Sequence, residues 1–377
     1  MPLPIILALN VLQSAGVRAA NVILILFAVK LGAEPFTIGF LAAMFSLFPM
    51  LLAVRAGKLA DRFGPYWLLV FGTCAVGSGA LMPYFFPVLP AIFYAAAMSG
   101  MLVVNYNVSL QNLVGLQSTP QTRARNFSRY GLAGSIGDLL GPLIAGFTID
   151  LTGHGNACLY LALCWLAPLA IIIIRGNTGR TSAQASKRAI GGLRSLLAEP
   201  GVGRTLAISS LANTASNLYQ IYLPVYAHSV GLSASTIGVL LALTSSAQFV
   251  VQLVVASLVA RFREEIVLAN TLFAAAASLM LIPFVSSAML LGLISFAFGL
   301  ATGCNGPVVN MLMFSNAPKG RSGEALGLKI TVNHLTKMIG PVAFGALGSA
   351  VGLPLMFWFN AMMLVSGGAL SRLYKSG

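Results

Sequence analysis

Apolar stretches long enough to cross a bilayer recur along nearly the whole chain, and no other feature narrows the possible folds as far. A spanning helix needs about 20 predominantly apolar residues, which predicts twelve spans at roughly 4–29, 36–56, 66–85, 88–113, 128–150, 156–175, 205–227, 234–259, 266–285, 287–312, 325–349 and 354–373. Hydrophobic residues make up 58% of the chain and charged ones 8%. Ordinary soluble domains carry about a quarter charged residues, so this chain lacks the charge to cover a water-facing surface. An all-α membrane protein with twelve transmembrane helices is the fold class expected. The opening run MPLPIILALNVLQSAG lacks the basic segment and small-residue cleavage site of a secretory signal and reads as the first span. Cys74, Cys158, Cys164 and Cys304 lie in apolar runs without CxxC spacing, which suits packing rather than metal ligation or disulfides.

The net charge of +14 reads as topology rather than as a nucleic-acid footprint. With the N-terminus in the cytoplasm, 18 of the 22 basic residues fall in cytoplasmic connections, at the cytoplasmic ends of spans or in the C-terminal tail, while the opposite side holds only Lys30. Arg18, Lys329 and Lys337 make up the remainder, farther inside spans. This positive-inside asymmetry places both termini in the cytoplasm, and attraction to anionic lipid is the only further role the basic loops need. Compact connections fit a bacterial inner membrane, with the lipid bilayer as the main partner and a monomer as the working unit.

Residues 176–204, GNTGRTSAQASKRAIGGLRSLLAEPGVGR, form the one long polar connection and separate six spans from six. The expected organisation is a first six-helix bundle over 1–175, a cytoplasmic loop over 176–204 and a second bundle over 205–377. Transporters are often built from two such repeats. Sliding the sequence on itself by 199 residues places Gly141-Pro142 on Gly340-Pro341, Gly146 on Gly345, and LADRF at 59–63 on LVARF at 258–262.

The segment after the second span reads GKLADRFGPYWLL. It resembles the signature of the major facilitator superfamily, with Gly57, Leu59, Ala60, Asp61, Arg62, Phe63 and Gly64 matching and Pro65 and Tyr66 standing where two basic residues are usual. The resemblance implies that superfamily's fold, two six-helix halves that alternate access. Physically, Gly57 and Gly64 permit a tight turn and close helix approach. Asp61 at the membrane surface suits a helix N-terminus, where the macrodipole favours an anion. Arg123 or Arg129 is a further partner. Asp61, Arg62 and Arg123 are therefore expected to gate the cytoplasmic side. The run Gly137, Gly141, Pro142 and Gly146 resembles the span-5 motif of proton-driven exporters in the same superfamily, with Ala145 replacing a frequent second glycine. Small residues there allow close packing, and the proline bends the helix; Gly340 and Pro341 repeat the pattern.

Inside that motif sits Asp138, ten residues into its span, roughly 15 Å deep and near the middle of the bilayer. Ionisable groups at that depth face a cavity or a partner. Arg18 is similarly mid-span and shares a helical face with Ser14 and Asn21. The 199-residue offset carries Ser14, Arg18 and Asn21 onto Asn213, Asn217 and Gln220, and Asp138 onto Lys337. Both halves thus present a polar stripe, with an acid and a base at equivalent central positions. Asp138 is expected to pair with Arg18 or Lys337. Lys329, Asn333 and Lys337 share a face, beside His334, a residue that titrates near neutrality. Lys329 lies a turn inside the membrane and is expected to snorkel to the interface. Asn105, Asn107, Gln111, Asn112, Asn305 and Asn310 either line the pathway or join helices, and Tyr219, Tyr222 and Tyr226 form a wall of the pathway or an outer aromatic belt.

These features predict a proton-coupled secondary transporter without metal or organic cofactor. No GxxxxGK[ST] motif offers nucleotide hydrolysis, and no GxSxG or HExxH motif offers enzyme chemistry. Arg18, Asp138 and Lys337 sum to one positive charge, which suits a small anionic or zwitterionic organic solute. The span-5 motif points to efflux by proton antiport; import of an organic anion, or flipping of a lipid or lysolipid, is the alternative.

Overall fold

The structure is a computed structural model describing residues 1–63, 65–119, 122–175, 199–316 and 322–372. Among these, every element of regular structure is helical. In chain order the helices are α1 (Leu3–Lys30), α2 (Pro35–Phe63), α3 (Pro65–Phe85), α4 (Leu89–Leu116), α5 (Arg123–Cys164), α6 (Leu166–Arg175) and α7 (Pro200–Ser229). They continue as α8 (Ala234–Arg261), α9 (Glu264–Leu281), α10 (Ala288–Gly303), α11 (Asn305–Asn316), α12 (Ser322–Val351) and α13 (Leu353–Arg372), with a short 3-10 turn at Ile282–Phe284. Proline starts α2, α3 and α7 and stands second in α1, α4 and α13. At those positions its missing N–H has no intrahelical acceptor to satisfy.

Nine stretches among the described residues are long and apolar enough to cross a membrane. One of them, Arg125–Ile174, spans 50 residues and holds two crossings, divided where Gly153 takes φ 83 and ψ 166. The two 30-residue helices α7 and α12 are not among the nine; Asn213, Asn217 and Gln220 lower the hydropathy of the first, and Lys329, Asn333, His334 and Lys337 that of the second. The helices are thus consistent with twelve crossings. Two crossings are broken midway, after Cys164 and after Gly303. Each break lies four residues before a proline, Pro168 and Pro307, whose ring clashes with that carbonyl and offers it no donor. The expected second span ends at residue 56, yet α2 stays helical through Phe63; hydropathy marks where the apolar run stops, not where the helix does. Residues 176–198 of the central connection lie outside the described residues.

The chain forms two compact units. One comprises Met1–Gln184 with Ala227–Ala242, the other Ala185–Tyr226 with Leu243–Gly377. In the first, α1 packs along α5, and α4 packs against α2 and α3. Its core gathers Leu9, Leu69, Leu102, Tyr106, Leu110 and Trp165. In the second, α9 packs on α13, and a smaller core joins Val202, Leu206, Met313, Ala325 and Leu328.

The backbone carries the 199-residue repeat. Four glycines among the described residues have positive φ: Gly32, Gly153, Gly231 and Gly352. They pair at that offset, 32 with 231 and 153 with 352. At the first pair even the helix-ending bonds correspond: Ala33 N donates to the Ala28 carbonyl, and Leu232 N to the Ala227 carbonyl, each at 3.0 Å. Such six-to-one bonds around a left-handed residue close a helix where glycine stands just beyond its end.

Candidate functional site

In the first unit the site is built by close approach of two backbones. A Cβ on Gly137 would lie 2.5 Å from the Val11 carbonyl oxygen, and one on Gly141 would lie 2.5 Å from that of Ala15 and 2.6 Å from Arg18 Cβ. Only hydrogen fits at these positions, so α1 and α5 touch along this seam. Arg18 is thereby held over Asp138: its Nε donates to Oδ1 at 2.9 Å and its Nη2 to Oδ2 at 3.2 Å. Such two-pronged guanidinium–carboxylate bonding fixes geometry as well as charge. Of the two partners the sequence admits for Asp138, Arg18 is therefore the one found.

Both side chains remain about a third exposed, 33% and 38%. That exposure is separate from the lipid-facing surface of α5, where Ile136, Leu140, Ile144 and Phe147 are the exposed side chains. Charges amid apolar helices are costly unless each has a partner, and here each supplies the other's. The only other ion pair among the described residues, Arg263–Glu265 at 4.0 Å, has an Arg263 side chain that is 62% exposed. Pro142 adds a further polar group. In a regular helix the carbonyl of residue 138 would accept from the N–H of residue 142, and proline has none.

Ser14 and Asn21 are half-buried on the Arg18 stretch of α1. One turn earlier Asn10 Nδ2 donates to the Tyr130 carbonyl at 2.7 Å, and Gln13 Nε2 donates to Asn107 Oδ1 at 3.4 Å. Gln111 is exposed, Asn112 half-buried and Asn105 buried.

The second unit repeats this arrangement with different chemistry. Gly340, the counterpart of Gly141, faces Thr214, the counterpart of Ala15; a Cβ there would lie 2.8 Å from the threonine methyl. Ser209 Oγ bonds Asn333 Oδ1 at 3.3 Å, and Asn213 Nδ2 donates to the Ser209 carbonyl at 2.9 Å. Asn217, Gln220, Asn333, His334 and Lys337 are all half-buried. The exposed residues nearest them on α12 are Thr331, Leu335 and Ile339. Pro341 offers no N–H to the Lys337 carbonyl, as Pro142 offers none to that of Asp138.

Several expectations need correcting. Lys329 does not snorkel: it is 8% exposed, and its ammonium donates to Asn310 Oδ1. Tyr219, Tyr222 and Tyr226 form neither a cavity wall nor an interfacial belt; all are buried. Their hydroxyls bond Thr244 Oγ1 and the carbonyls of Pro341 and Val285, which lets tyrosine act as core packing with a satisfied tip. Asn305 accepts from Thr271 and joins helices. The side chains of Gly57, Asp61, Arg62 and Arg123, and Gly64 altogether, lie outside the described residues.

Two units of apolar helices, each with a polar seam in its interior, define a multi-pass integral membrane protein of the two-bundle transporter class. The family profile described as Major Facilitator Superfamily matches residues 6–336 and 205–376, and the chain belongs to that superfamily. It is 25% identical over 349 residues to solute carrier family 67 member A1 of Homo sapiens, covering 86% of this chain and 81% of that one. It is 23% identical over 370 residues to an uncharacterized MFS-type transporter of Methanocaldococcus jannaschii, covering 95% and 94%. Among solved structures it resembles the nucleoside transporter NupG with a TM-score of 0.83 over the full length of both chains, at 13% identity; that likeness concerns the fold.

Proposed function

We propose that this transporter is driven by the proton gradient and exports a small anionic or zwitterionic organic solute by antiport. The observation that supports this reading is the Arg18–Asp138 pair, bidentate yet about a third open. Protonating Asp138 removes the negative charge that holds the guanidinium. Arg18 then becomes available to a carboxylate or phosphate of the solute, while deprotonation restores the ion pair and displaces it. Proton and anion thus bind differentially to the same residues, which is what shifts a two-state equilibrium. Lys337 and His334 supply further positive character, and Asn21, Asn213, Asn217, Gln220 and Asn333 supply hydrogen bonds. The outward direction rests on the Gly-Pro motif that surrounds the acid.

In this reading the protein lies in a bacterial inner membrane with both termini inside, works as a monomer, and needs no cofactor beyond the gradient. Asp61, Arg62 and Arg123, with Gly57 and Gly64, gate the cytoplasmic face. Import of an organic anion by symport is the second reading, favoured by the net positive charge of Arg18, Asp138 and Lys337.

Purified protein in liposomes with a trapped pH dye tests the proposal. Small organic anions, zwitterions and lipophilic cations are added singly to wild type and Asp138→Asn. Proton movement driven by an anion in wild type alone is the expected result, and its sign separates antiport from symport. Equal proton movement in both proteins would remove Asp138 from the coupling.

A further inference from the structure

Beyond the ion pair, α5 makes a second contact that neither the motif nor the transport reading assigns. Pro142, Gly146 and Asp150 follow one another at four-residue spacing along one face. All three meet the first turns of α8. A Cβ on Gly238 would overlap the Pro142 carbonyl oxygen, and a Cβ on Gly146 would overlap that of Ala234. At the top of the stripe, the Asp150 carboxylate accepts from Ala234 N at 3.1 Å and from Ser235 N at 2.7 Å. The next N–H, that of Thr236, goes to Ser233 Oγ at 3.3 Å. A helix leaves its first N–H groups without internal partners, and an anion there is further favoured by the macrodipole. Here two of the three are satisfied by an acid 84 residues away in sequence, rather than by the helix's own cap.

The position of this contact gives it meaning. Ala227–Ala242 belongs to the first compact unit, and α8 continues from Leu243 as part of the second. Any rocking of one bundle against the other must therefore release α8 from α5 or pivot on it. The contact lies just before the Gly153 break in α5, at the end of the fifth crossing remote from the basic loops, the side expected to face outward. Asp150 is exposed, so water can replace it on the two N–H groups when the helices part, and the bond is suited to being made and broken. At the 199-residue offset Asp150 corresponds to Ser349, so only the first half carries an acid here.

We propose that Asp150 is a positioning residue of the outer gate: its carboxylate latches the N-terminus of α8 onto α5 when the outer side is shut, over a seam made dry and close by Gly146 and Gly238. The inference rests on the alternating-access reading and not on proton coupling or on any particular solute.

The test measures access from outside. In a background with Cys74, Cys158, Cys164 and Cys304 replaced, Asn21→Cys on α1 reports labelling by an impermeant maleimide applied to intact cells. Asp150→Ala is expected to raise the labelling rate about tenfold, the equilibrium shift that corresponds to losing a helix cap. Asp150→Asn, which keeps one acceptor oxygen, should give a smaller rise. Gly238→Ala, which forces the seam apart against the Pro142 carbonyl, should give a rise without touching the carboxylate. If Asp150→Ala is not recovered in the membrane, the latter two variants decide. Wild-type labelling rates in the folded variants overturn the latch. Because labelling needs neither solute nor gradient, that outcome leaves the Asp138 result standing, and loss of the Asp138 effect leaves the latch standing.

Discussion

The α1–α5 pair of the first unit and the α7–α12 pair of the second share a scaffold and differ in chemistry. Both place a glycine of a Gly-Pro step against the same turn of the partner helix, Gly141 on Ala15 and Gly340 on Thr214. Both bond one turn earlier, through Asn10 and Ser209. Yet the first unit holds a two-pronged ion pair, while the second places Asn217 and Lys337 at the equivalent positions. Small residues fix how near the helices come, and that spacing leaves the neighbouring polar positions free to diverge. Duplication thus supplied one geometry, and the two copies divided an acid and a base between them.

The largest expected effect breaks this division at its centre. Asp138→Asn should reduce gradient-driven transport on the order of a hundredfold, as expected for a group that must exchange a proton, read by the trapped dye. Next comes the scaffold itself. Gly141→Ala sets a methyl against backbone and should cost roughly 1–3 kcal/mol, whereas Gly340→Ala meets a threonine methyl that can turn and should cost under about 1 kcal/mol. Thermal unfolding of the two variants in detergent checks the order, and equal losses would show that the seams are equally tight. Lys337→Gln should weaken apparent affinity for an organic anion about tenfold while leaving a zwitterion less affected, measured by competition. Tyr222→Phe, which removes the hydroxyl bond to the Pro341 carbonyl, has the smallest effect on transport: it should cost about 1 kcal/mol of stability without changing coupling.

The spans, the repeat and the central charges were legible because bilayers penalise polar groups, so Asp138 and Arg18 stand out from the runs around them. Contact partners were less so. The tyrosines of α7 read as a wall of the pathway or an outer aromatic belt, but a buried phenol with a bonded hydroxyl has the same spacing as an exposed one. Lys329 looked close enough to the interface to escape, and a single facing amide, Asn310, keeps it inside. Asp150 stands at the end of a span and matches no motif of its own. Its signal was the continuation of the Pro142–Gly146 spacing by one more turn. The breaks after Cys164 and Gly303 were also written in the sequence, four residues before Pro168 and Pro307, though Pro142 and Pro341 occur within helices that continue.

The ion pair also sets a schedule for making the protein. Arg18 precedes Asp138 by 120 residues, so the ribosome delivers the cation four crossings ahead of its partner. An uncompensated arginine at the centre of a helix costs about 2.5–3.5 kcal/mol on insertion scales. The first crossing is therefore expected to be poorly held in the bilayer until the fifth arrives. Fragments ending before residue 138 should be cleared by membrane proteases, and those ending after α5 should persist.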